Sequence, residues 1–112
     1  MMHFIDLDTG TDQLIAKKRA GLGILKLNRP NAKNALSSKL TPALREMIKQ
    51  LGEDDEVGAV LITGAGNAFC AGGDVKGMAN SDGPVLTADQ KILKLVEGQR
   101  QLTGALVKFR KP

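Results

Sequence analysis

The sequence predicts an α/β fold, and three observations carry that expectation. Two short apolar runs flank an Ala20-Gly21 pair, the pattern of a β-hairpin. Leu40, Leu44, Met47, Ile48 and Leu51 recur at helical spacing and make one apolar face. Val57 to Thr63 is then a short, nearly continuous apolar run, the mark of a strand buried on both faces. Strand, helix and strand in this order imply a parallel pair joined by a right-handed crossover.

Taken in order, residues 1–11 read as a flexible start. The hairpin strands are expected over Asp12–Arg19 and Leu22–Asn28. Arg29-Pro30-Asn31 ends them, because Pro30 has no N–H and biases Arg29 away from helix. For the helix start two placements stand. Thr41-Pro42 would serve as N-cap and first residue, or Ser37 or Ser38 caps it and Pro42 closes the first turn. Gly52 ends the helix, and Glu53 to Glu56 reads as a solvated acidic connection. Residues 77–88 have loop composition. Asp89 to about Phe109 reads as a second helix, weakened by Gly98 and Gly104, which would permit close packing. The β/α pattern then reaches Arg110-Lys111-Pro112, where a further strand is expected.

The 112 residues fit one small domain with an ordinary apolar fraction of 42%. Three Phe and no Trp or Tyr leave the core to Leu, Ile, Val and Ala. No apolar run approaches the ~18 residues of a membrane span, and the first residues lack a signal peptide's regions, so a cytoplasmic protein without membrane contact is expected. The lone Cys70 reads as a small buried packing residue, since the only histidine, His3, lies at a terminus and offers no Cys-His pair. Neither residue suggests a metal site. The net charge of +4 is concentrated late, with six basic residues against Glu97 from Lys91 onward. No interleaved aromatics or recognisable motif accompany them, so nucleic acid is not the expected partner.

Chemistry points to "AFCAGGDVKGM", residues 68–78. Gly64 and Gly66 begin a G-x-G-x-x-G pattern, but its third glycine would fall on Phe69, and no P-loop Gly-Lys-Ser/Thr follows. If Asp74 caps a short helical turn, the N–H groups at its start point outward, and Gly72 and Gly73 keep that backbone bare. Such donors receive an anion or charge developing on a carbonyl oxygen. A simple glycine turn closing a strand explains the residues equally well.

"LNRPNAKNALS" (Leu27–Ser37) and "GAVLITGAGNAFCAGGDVKGM" (Gly58–Met78), with their spacing, resemble the crotonase superfamily of enoyl-CoA hydratases and isomerases. The resemblance runs from about residue 12 onward. It implies the crotonase-like spiral α/β core, of which these residues match the N-terminal half. It also implies an acyl-coenzyme A thioester as the ligand, with coenzyme A entering as part of the substrate and no separate cofactor. Gly73 would donate its N–H to the thioester oxyanion, and the Ala71 carbonyl would receive the adenine amino group. Asp74, Val75 and Lys76 would line the turn, and Lys33 and Ala35 would lie along the coenzyme. Lys33, Lys76 and the basic terminus would face phosphates.

The family's second oxyanion donor and its glutamates match no residue of this sequence. Glu46, Glu53, Glu56 and Glu97 receive no catalytic role. The 112 residues alone are therefore expected to be inactive and to associate as a homo-oligomer or with a complementary chain. Two other functions stay open: a non-catalytic acyl-CoA-binding or assembly module, and an acyl-CoA thioester hydrolase, because related hydrolases share the A-G-G-D turn.

Overall fold

A computed structural model describes residues 3–72 and 88–112. Its sheet has four strands in the order β1 (Ile5–Leu7), β2 (Leu14–Arg19), β3 (Leu22–Leu27) and β4 (Ala59–Gly64). Helix α1 spans Leu40–Glu53 and helix α2 Ala88–Lys108. β2 and β3 pair antiparallel in the register Leu14↔Leu27 to Arg19↔Leu22, and their turn places Ala20 and Gly21 at φ 49° and 84°. Two successive positive φ values are what a two-residue turn matching the strands' twist requires. β3 and β4 are parallel, with α1 in the crossover, as the strand–helix–strand order predicts.

The core lies between the sheet and α1. Alternation along β2 and β3 buries Leu14, Ala16, Leu25 and Leu27, while α1 contributes Leu40, Leu44, Met47, Ile48 and Leu51. Each large aliphatic side chain among them contributes about 1.5–3 kcal/mol by burial. The helix starts between the two placements, with Lys39 rather than a serine or Thr41 in the N-cap position, and the Ser37 side chain supports it from outside. The Ser37 hydroxyl accepts from the Leu40 N–H at 2.9 Å, and Pro42 sits in the first turn where its missing donor costs nothing.

Four expectations need correction. Residues 1–11 contain β1, which pairs with β2, and Phe4 lies under the Arg19 guanidinium at 5.2 Å. β4 is only half-buried, with Leu61 50% exposed. Val60 and Ile62 turn toward the core, while among the described residues no layer covers the opposite face. The acidic connection is not simply solvated, since Lys18 donates to both Asp54 and Glu56 at 2.9 Å. Finally, Gly98 and Gly104 face open space, and the close helix contact is made at Gly52, where an added Cβ would stand 3.2 Å from the Phe109 ring.

The last residues cross back toward the sheet. Lys111 donates to the Leu51 and Asp54 carbonyls at 2.9 and 2.7 Å, satisfying acceptors that the end of α1 leaves open. The Val60 N–H, on the edge of β4 turned away from β3, donates to the Pro112 carbonyl at 2.8 Å.

Candidate functional site

Two loops leave the sheet side by side. β3 and β4 run parallel and end in register at Leu27 and Gly64, so the segments that follow emerge from the carboxyl ends of neighbouring strands. In open α/β sheets that end is where ligands are received. The first loop makes a short 3-10 turn over Pro30–Ala32 and then two successive left-handed residues, Lys33 (φ 51°) and Asn34 (φ 57°). The second runs from Ala65 to Gly72, with Gly66 and Gly72 also at positive φ.

Backbone bonds join the loops. Ala71 N–H donates to the Lys33 carbonyl at 3.0 Å, and Leu36 N–H donates to the Gly72 carbonyl at 2.6 Å. Inside this bridge lies the Asn34 carboxamide, fully buried. Its oxygen accepts from the Arg29 N–H at 2.8 Å, and its nitrogen donates to the Ala65 and Ala68 carbonyls at 2.9 and 2.8 Å. A buried amide with its hydrogen-bonding groups used is the condition under which such a group is tolerated in a core. Arg29 adds a bond from Nη1 to the Ala35 carbonyl at 2.6 Å. At Gly64 a Cβ would lie 2.6 Å from the Ala68 and Phe69 carbonyl oxygens of the second loop and 2.7 Å from Asn34 Nδ2. Only glycine allows the loop to fold back this closely.

The structure thus brings Lys33 and Ala71 together. Both are exposed, and among the described residues none donates to the Ala71 carbonyl or pairs with the Lys33 ammonium. Ala35 sits just beneath, 8% exposed. Cys70 is half-buried against the core, and its sulfur accepts from the Gly72 N–H at 3.5 Å. Gly73, Asp74, Val75 and Lys76 lie outside the described residues. Of the basic terminus, Lys111 is committed to the end of α1 and does not reach this site. Phe69 is 58% exposed in a loop, so the dinucleotide pattern that it interrupts has no helix at that position.

The sequence singled out Arg29 and Gly64 for other reasons and Asn34 not at all; their part in this bridge was not read from it. The signal that could have singled out Asn34 is its tolerance of left-handed backbone combined with a short side chain able to bond neighbouring peptides.

The parallel strand pair and its two bridged loops form one α/β unit, and comparison with known proteins shows the family to which it belongs. Residues 22–112 match the sequence profile of the family described as enoyl-CoA hydratase/isomerase, and the chain belongs to that family. It is 43% identical over 72 residues to a mitochondrial enoyl-CoA hydratase of Pongo abelii, covering 62% of this chain and 25% of that protein. It is 41% identical over 85 residues to a mitochondrial 3-hydroxyisobutyryl-CoA hydrolase of Gallus gallus, covering 73% of this chain and 22% of the other. Among solved structures, an enoyl-CoA hydratase of Mycobacterium smegmatis superimposes with a TM-score of 0.76 at 33% identity, over 91% of this chain and 38% of that one. The matched residues therefore span about a quarter of the length of these curated relatives. No helix among the described residues is long and apolar enough to cross a membrane.

Proposed function

We propose that this chain contributes the coenzyme-facing loops and one oxyanion donor for hydration or double-bond isomerisation of an enoyl-CoA thioester. The observation that carries the reading is the bridge between the loops, which sets the exposed Lys33 beside an Ala71 carbonyl that receives no donor among the described residues, at the carboxyl ends of parallel strands. In this reading the Ala71 carbonyl accepts the adenine amino group, while Lys33 and Lys76 face phosphates. Asp74 and Val75 line the turn beyond, and Ala35 supports it from below.

The chemistry assigned to Gly73 is electrostatic. When water adds to the β-carbon of an enoyl thioester, the displaced electron pair moves onto the thioester oxygen. The Gly73 N–H would hold that oxyanion, and no Cβ would obstruct its approach. Protonation of the α-carbon needs a positioned acid, and no residue of this sequence is assigned that task. The 112 residues alone are accordingly proposed to bind acyl-CoA, to leave enoyl-CoA unhydrated, and to associate with further copies or a complementary chain.

Thioester hydrolysis is a second reading, favoured by the hydrolase match over 85 residues. It uses the same oxyanion donor and differs in the attacked atom, the thioester carbonyl carbon. Calorimetric titration with coenzyme A at low and high salt tests the shared part. Weak binding that declines with salt and with Lys33→Ala is expected, because exposed phosphate–lysine contacts are screened. No binding at either salt concentration, or tight binding indifferent to both changes, would contradict it.

A further inference from the structure

We propose that Asn34 is the positioning residue of the coenzyme-facing turn, acting entirely through the backbone and touching no ligand. The inference rests on the functional reading above for its consequence, and on the geometry alone for its mechanism.

Asn34 is the one buried polar side chain among the described residues. Its three bonds reach both loops: Arg29 at the start of the first, and Ala65 and Ala68 in the second. The two carbonyls it holds, 31 and 34 residues away in sequence, are drawn inward onto one nitrogen. That folds residues 65–68 around the carboxamide and delivers the chain to Ala71 and Gly72, where the two backbone bonds to Lys33 and Leu36 close the bridge.

The chemistry required is narrow. One acceptor and two donors must share a short side chain, which only asparagine supplies. Aspartate at neutral pH keeps the acceptor but sets negative charge against two carbonyl oxygens, and alanine leaves both carbonyls without their donor. Gly64 reinforces the point, because the Asn34 nitrogen occupies the space a Cβ there would need. The left-handed backbone at Lys33 and Asn34 costs energy in non-glycine residues, and it persists where surrounding contacts over-determine it.

Amide hydrogen exchange by NMR tests the mechanism, with Leu44→Ala as a control that destabilises the core away from the loops. In Asn34→Ala and Asn34→Asp, the Ala71 and Leu36 N–H groups should lose at least about 10-fold more protection than the amides of the β2–β3 ladder. In Leu44→Ala, loops and ladder should lose protection together. Coenzyme A affinity should fall about 10-fold or more in both Asn34 variants and stay unchanged in folded Leu44→Ala. Uniform loss of protection in the Asn34 variants, or Asn34→Asp behaving as wild type, overturns the proposal. Loss of loop protection with unchanged affinity overturns it too, since the turn would then need no positioning. Should neither Asn34 variant fold, the wild-type side-chain amide decides. Its two Nδ2 protons should be distinct and slow to exchange, and fast exchange refutes the mechanism. Absence of coenzyme A binding in the wild type would defeat the functional reading instead, while the exchange data would still judge Asn34.

Discussion

The two helices are built from similar letters and are used differently. α1 buries Leu40, Leu44, Met47, Ile48 and Leu51 against the sheet, so its apolar face has a partner along its whole length. In α2, Leu102 is buried and Ala105 partly so, whereas Leu93, Val96, Leu106 and Val107 are 67%, 55%, 45% and 79% exposed. A helical apolar pattern reports that a face wants burial; the contacts decide whether it is satisfied. α1, β2 and β3 form the supported region that holds the site's loops, and α2 packs on α1 along one side only, through Leu102, Ala105 and the bond between Arg45 and Gln101, with Phe109 just past its end against Gly52.

Truncation of core leucines should show the contrast most strongly. Leu44→Ala is expected to cost about 2–5 kcal/mol in denaturant unfolding. Val107→Ala should stay within about 0.5 kcal/mol, as for other exposed positions. Equal losses would mean that α2 is packed as firmly as α1.

Glycines sharpen the same comparison. Gly64→Ala forces a methyl against two loop carbonyls and should cost toward the upper end of the roughly 1–3 kcal/mol typical of overpacking. Gly98→Ala and Gly104→Ala meet nothing within 4 Å and should each stabilise by about 0.5–1 kcal/mol through helix propensity. A destabilising result at either α2 glycine would reveal a packed face there.

The smallest expected effect concerns the ion cluster at the end of α1. Hydrogen bonds from Lys18, first, and from the Glu56 backbone hold the Asp54 carboxyl below its ordinary value of 3.8. Bonds to Glu56 and then Asp54 raise Lys18 above its ordinary value of 10.5. The folded carboxyl is the stronger acid, so its contribution is present above about pH 4 and lost as pH falls through its lowered folded value. The folded ammonium is the weaker acid, so its contribution is present below about pH 10.5 and lost as pH rises through its raised folded value. Lys18→Met should therefore flatten both limbs of the stability–pH curve, modestly because the cluster is partly exposed. Unchanged limbs would mean that the pairs do not persist in solution.

What could be read from sequence followed the range of each signal. The hairpin, α1 and the parallel crossover rest on local periodicity and turn chemistry, and they appear with boundaries shifted by a residue or two. β1 was missed because Ile5-Asp6-Leu7 is too short to show a period. The exposure of β4 was missed because an apolar run records composition and not the neighbours that cover it. At the site, Lys33 and Ala71 came from the motifs and do meet. The role of Asn34 was hidden because its partners lie 31 and 34 residues downstream, beyond any local pattern.

The central claim is that the two tied loops receive coenzyme A while α2 does not, and mapping amide chemical shifts during a coenzyme A titration tests it most directly. Saturable, salt-sensitive shifts are expected at Lys33, Ala71, Gly72 and Gly73, with the amides of Leu106 and Val107 unmoved. Shifts concentrated along α1 and α2, with the loops silent, would contradict it.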